Sequence, residues 1–163
     1  MGAAGVLATA VLFVGFIVMF NRSYERLYRL KCIGNLQQIH SAINAYSQAN
    51  GGLLPHRLDQ LLDQLSAETF VCMSSADEDA PGATTRAVAL NLAKPKHCSY
   101  TYLGAGMTWP VGASVVLAYE DRENHNGEGI HVLFGDGVVK WYSGKEGETL
   151  LKKMKPATSM PVQ

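Results

Sequence analysis

Polar and apolar positions divide the chain into three zones. Residues Gly2 to Phe20 carry no charged side chain, and at about 1.5 Å per residue such a run spans roughly 28 Å, close to the ~30 Å hydrocarbon core of a bilayer. It reads as a spanning helix. No Lys or Arg precedes the run, and it passes directly into Asn21-Arg22-Ser23-Tyr24, which argues against the alternative of a cleaved secretory signal. From Leu27 to Tyr46 the period changes: Leu27, Leu30, Ile33, Leu36, Ile39, Ile43 and Tyr46 recur every three or four residues, the mark of an amphipathic helix. No Pro interrupts residues 2–54, and Gly51-Gly52 followed by Pro55 supplies a stop, so the two stretches should form one helix about 70 Å long.

The remainder predicts a small head. His56 to Leu65 has the spacing of a short helix, and residues 73–97 read as irregular. Ser99–Leu103, Ser114–Tyr119, His131–Phe134 and Val138–Tyr142 read as strands. The last two are joined by Gly135-Asp136-Gly137, a strong hairpin signal, with Gly135 and Gly137 flanking Asp136 where the turn is expected to need positive φ. Val132 and Phe134 with Val139 and Trp141 are expected to face the spine around Leu36, Ile39 and Ile43. Trp109, Trp141, Tyr100, Tyr102 and Tyr142 are assigned to packing against that spine. A polar tail helix from Glu146 to Lys155 completes the expected α+β fold. The predicted organisation is an anchor at 1–21, a spine helix at 22–52 and a β-rich head at 53–163.

Composition narrows the function. With 14 basic and 14 acidic residues the formal charge is zero, so the field that nucleic-acid binding needs is missing. The motifs for a nucleophile elbow, a phosphate-binding loop, an H-E-x-x-H zinc site and C-x-x-C are absent, which points away from an enzyme. Topology signals conflict. Arg22, Arg26, Arg29 and Lys31 follow the apolar run, which by the positive-inside rule favours a cytoplasmic head. Cys72 and Cys98 flank the irregular loop and are a candidate disulfide, which would stabilise the head by roughly 3 to 4 kcal/mol and place it outside the cytoplasm. Three free cysteines in a reducing compartment are the alternative.

Two stretches carry a family resemblance. Cys32-x2-Asn35-Leu36-x-Gln38-Ile39-x2-Ala42-x3-Tyr46-x3-Asn50-x-Gly52-x2-Pro55 and the segment His125 to Trp141, together with Cys72-Met73-Ser74-Ser75 and Ser99-Tyr100-Thr101-Tyr102, resemble type IV pilin-like and type II secretion pseudopilin-like proteins. The likeness is to the prepilin-type group with a C-terminal H-X9-DG motif, over about residues 22–143. It marks Asn35, Gln38, Tyr46, Pro55, His125, Asp136 and Gly137 as structural motif positions. Gly5 stands where members have a glutamate, and ten residues separate His125 from Asp136. The resemblance implies a non-catalytic structural or accessory subunit in a bacterial inner membrane, single-pass, with its head outside the cytoplasm and other pilin-like subunits or secretion components as partners. The alternative is a membrane-tethered binding module of the same architecture that does not polymerise.

No cofactor is required by this reading, but calcium is a possible ligand. Glu120, Asp121 and Asp136 supply the hard oxygen donors for it, on a loop whose spacing departs from an EF-hand. No second His or Cys lies at a ligand spacing from His125, and His131 is assigned to another strand face, so His125 is expected to tie the loop to the hairpin.

Overall fold

The computed structural model describes residues 3–154; in the first helix the described side chains are those of 12, 13, 16, 19 and 22 onward. Helix α1 (Ala3–Ala49) is unbroken, joining the apolar and amphipathic stretches as their uninterrupted helical character requires. It ends where Gly51 and Gly52 take φ of +64 and +88, and the Gly52 N–H donates back to Ser47 O at 2.8 Å, a geometry that costs Gly little. The proposed spanning segment Gly2–Phe20 lies largely outside the described side chains. Among the described residues no helix is long and apolar enough to cross a membrane.

The head is a four-stranded antiparallel meander, β1 (Tyr100–Tyr102), β2 (Val116–Glu120), β3 (Gly129–Phe134) and β4 (Val139–Ser143), in that spatial order. Before it come 3-10 turns at Leu58–Leu61 and Ala67–Phe70 and helix α2 (Thr85–Leu92); after it comes α3 (Gly144–Met154). The helix expected over His56–Leu65 is only a 3-10 turn that buries Leu58 and Leu61. Helix α2 falls inside the stretch read as irregular. It is capped by Thr84, whose hydroxyl accepts from Ala87 N at 3.3 Å, and buries Leu92; the Pro81-Gly82 punctuation beside it masked so short an element.

One core joins α1 to the head. Leu36, Ile39 and Ile43 meet Leu54, Leu61, Phe70, Leu117, Ala118 and Leu133, all buried. The face assigned to β3 from sequence was off by one residue. Leu133 pairs with Val139 and His131 with Trp141, and residues directly opposite in an antiparallel pair share a face. The spine side therefore carries His131, Leu133, Val139 and Trp141. Ile130 lies instead beneath α3, where Gly147 leaves room: a Cβ there would sit 3.0 Å from the Ile130 side chain. Covered on both sides, β3 is buried along nearly its whole length.

Candidate functional site

Where the spine meets the end of the sheet away from the hairpin turn, polar side chains from six segments converge in a buried cluster. On α1, Glu25, Arg29 and Cys32 are spaced by four and three residues, one stripe of a helix, and Asn35 continues it a turn later. Cys72 follows the second 3-10 turn, Glu120 ends β2, His125 lies in the β2–β3 connection, His131 is on β3 and Trp141 on β4. Cys32, Glu120 and His125 are 0 % exposed and Cys72 is 1 % exposed.

His125 is the hub. Its Nδ1 lies 2.5 Å from Glu25 Oε1; its Nε2 lies 3.1 Å from Glu120 Oε1 and 3.6 Å from Cys72 Sγ. Glu120 is gripped from its other side, where Oε2 accepts from the His131 backbone N–H at 2.7 Å and lies 2.8 Å from His131 Nδ1. The sulfurs of Cys32 and Cys72 are 3.0 Å apart. Above them Arg29 lies over the Trp141 ring, 3.9 Å from its centroid, and pairs with Glu128. Trp141 in turn stands edge-on to both histidines.

The loop that delivers His125 is strained. His125 and Asn126 both adopt left-handed backbone, with φ of +53 and +56, and Gly127 follows at +71. For a non-glycine residue this costs on the order of 1 kcal/mol or more and persists only where the surroundings enforce it. Here the ring's two nitrogens are held by carboxylates from α1 and β2.

Electrostatics follow from the packing. Burial pushes the Glu120 carboxyl upward, but hydrogen bonds from His125 and His131 outweigh it and hold the group down at about 2. Burial pulls His125 downward, and its hydrogen bonds to Cys32, Glu120 and Glu25 reverse this, raising it to about 10. The Cys32 thiol is pushed far upward by its hydrogen bond to Cys72 and by burial. Without another cation, the arrangement is an imidazolium between two carboxylates with two thiols alongside.

Several expectations are corrected by this geometry. Glu120, Asp121 and Asp136 do not form a calcium site. Glu120 is buried among histidines, Asp121 is exposed, and Asp136 is exposed in the β3–β4 turn, where Oδ1 accepts from Val138 N. The antiparallel register sets Val116, not Glu120, beside Phe134, so the turn and Glu120 stand at opposite ends of β2. Cys72 faces Cys32 rather than Cys98. All three thiols are free, and Cys98 Sγ donates to Tyr100 O at 3.3 Å while burial pushes it up to about 11. His131, assigned to another face, shares Glu120 with His125.

The remaining motif positions are spread over the frame. Asn35 is buried and donates to Val71 O at 3.1 Å; Tyr46 OH accepts from Gln60; Pro55 is buried; Gln38 is exposed. Gly137 has φ +82 and touches the spine at His40. Glu25, Arg29, Cys32 and His131 were missed as members of this cluster from sequence, whereas Trp141 faces the spine as expected. The four-and-three spacing of Glu25, Arg29 and Cys32 was the local signal for the three on α1.

Donor atoms of Cys32, Cys72, Glu120 and His125 lie within 4.8 Å of one another, all four side chains buried. Two thiols, an imidazole and a carboxylate are a donor set for a borderline-soft metal rather than for calcium. No family model, no curated protein and no solved structure matches this chain.

Proposed function

We propose that the protein is a non-catalytic, membrane-anchored subunit of a pilin-like or type II secretion-like assembly, its head held on a long helix whose other end enters the bilayer. One observation carries the reading: α1 changes character along its length. Beyond Glu25 toward the C-terminus its stripe is sealed under the head, whereas toward the N-terminus Leu12, Phe13 and Met19 are 67 to 74 % exposed. Large apolar side chains exposed together along one helix mark a surface for lipid or another helix. Leu27 and Leu30 are also exposed, on the side of the spine away from the head, and offer a seam for neighbouring spines.

The resemblance of residues 22–143 to pilin-like proteins agrees with this division of labour, in which helices bundle and heads set lateral contacts. Fractionation tests it. The full chain should sediment with membranes and resist high salt and carbonate washing, while a chain beginning at Arg22 should be released. Crosslinks between Leu27→Cys copies within the membrane fraction would support assembly, and their absence at any expression level would favour the solitary tether.

A further inference from the structure

We propose that Cys32, Cys72, Glu120 and His125 bind one divalent transition-metal ion of zinc's class, which staples the spine helix to the head. The donors come from four separate segments, α1, the turn after Ala67–Phe70, the end of β2 and the β2–β3 connection, yet all lie within 4.8 Å of each other and are sealed from solvent. Zinc ligated at about 2.3 Å by sulfur and about 2.0 to 2.1 Å by nitrogen or oxygen holds neighbouring S and N donors roughly 3.5 Å apart and N and O donors roughly 3.3 Å apart. The observed spacings are 3.6 Å from His125 Nε2 to Cys72 Sγ and 3.1 Å from Nε2 to Glu120 Oε1. The two sulfurs at 3.0 Å would separate by about 0.8 Å to reach a tetrahedral edge, which small χ1 rotations accommodate.

The side chains that would orient these ligands are already in contact with them. A metal-bound histidine characteristically gives its remaining ring N–H to a carboxylate, which fixes ring orientation and tautomer. Glu25 does this at His125 Nδ1, 2.5 Å away, leaving Nε2 turned to the sulfurs. Glu120 is likewise oriented: Oε2 is occupied by His131 through two contacts, and Oε1 faces the cluster. The left-handed backbone at His125 is what aims the ring inward. A disulfide between Cys32 and Cys72, whose sulfurs are 3.0 Å apart, would consume both sulfur donors and exclude the ion. Four protein ligands with no open position make the site structural, not catalytic. The thiol protons and any proton on Nε2 leave to water as the ion enters.

The test is cobalt titration of the full-length chain, purified in detergent, reduced and stripped of metal. One equivalent of cobalt should produce the intense d–d bands of tetrahedral coordination and a sulfur-to-cobalt charge-transfer band, both erased by one equivalent of zinc. Cys72→Ser should weaken the charge-transfer band and lower affinity at least 100-fold. Glu25→Gln, which keeps every ligand, should lower it about 10- to 100-fold. Cys98→Ser should match the parent. Because these variants can lose structure, the parent decides first. Failure of the folded parent to bind cobalt overturns the proposal, as does a spectrum unchanged in Cys72→Ser. Recovery of a Cys32–Cys72 disulfide in peptide maps of protein alkylated at lysis does the same. None of these readouts depends on membrane insertion, so the site can fail while the anchored reading stands.

Discussion

The two ends of the β3–β4 hairpin dock on the same helix by different physics. At the turn end, Gly135 O lies 3.2 Å from His40 Nε2, and Gly137 passes so close that a Cβ would sit 2.9 Å from the His40 ring. At the far end Trp141 stands under Arg29 and His131 reaches Glu120. Along α1 the stretch from Arg29 to His40 rises about 16 Å, and from Trp141 to Gly137 a strand covers about 13 Å, the indole spanning the difference. The hairpin is thus laid along the spine and pinned at both ends. The turn end is made by local chemistry, a Gly-Asp-Gly turn with positive φ. The far end is made by polar groups that meet only in the folded chain, and it concentrates the buried charge.

That contrast predicts where the molecule is fragile. The largest loss is expected for Glu120→Ala, which leaves His125 and His131 facing each other, buried and without their shared carboxylate; about 3 to 5 kcal/mol should disappear from chemical denaturation of the metal-free protein. A loss within 1 kcal/mol would show that water replaces the carboxylate and that this end is not the tighter pin. Next comes the strand face between the pins. Leu133→Ala should cost about 2 to 5 kcal/mol, because Leu133 is fully buried against the spine, and Phe134→Ala should cost clearly less, because its ring is only half-buried on the opposite face. The reverse order of melting temperatures would restore the face assignment that the pairing of Leu133 with Val139 overturned.

At the turn end Gly137→Val should destabilise by about 1 to 3 kcal/mol, since φ of +82 is strained for a β-branched residue and the new side chain must displace the His40 ring. The smallest effect is expected for His40→Ala, about 0.5 to 1.5 kcal/mol for one lost hydrogen bond, measurable as a shift in urea midpoint with unchanged slope. A His40 effect rivalling that of Glu120 would erase the distinction between the two ends.

Much of the frame was legible in the residues. The period of three to four located the buried stripe from Leu36 to Tyr46, though Leu27 and Leu30, read as part of it, are exposed on the other side of the helix; Gly51-Gly52 gave its end and Gly135-Asp136-Gly137 the hairpin, because each depends on backbone geometry within a few neighbours. Helix α2 escaped because eight residues give too few turns for a period to show. The candidate site escaped for a different reason. Its members are ordinary singly: an early helical acid, scattered cysteines, a histidine in a polar loop. Spacing rules find ligands that one local element presents together, and here the donors stand at positions 32, 72, 120 and 125 of the chain.

By itself the sequence determined what short-range forces decide: a continuous N-terminal helix with an apolar and an amphipathic half, four strands in order, and the glycines at which the chain must turn. Tertiary structure alone decided which face of β3 meets the spine, since a register step of one residue exchanges the two faces. It alone decided that Cys72 meets Cys32 and not Cys98, and that Glu120 belongs with His125 and His131 and not with Asp136. Such choices are made by the burial of groups remote in sequence. A charged side chain becomes tolerable in an interior only when its partners arrive with it, and only the closed fold brings Glu25, Cys32, Cys72, Glu120 and His125 to one place.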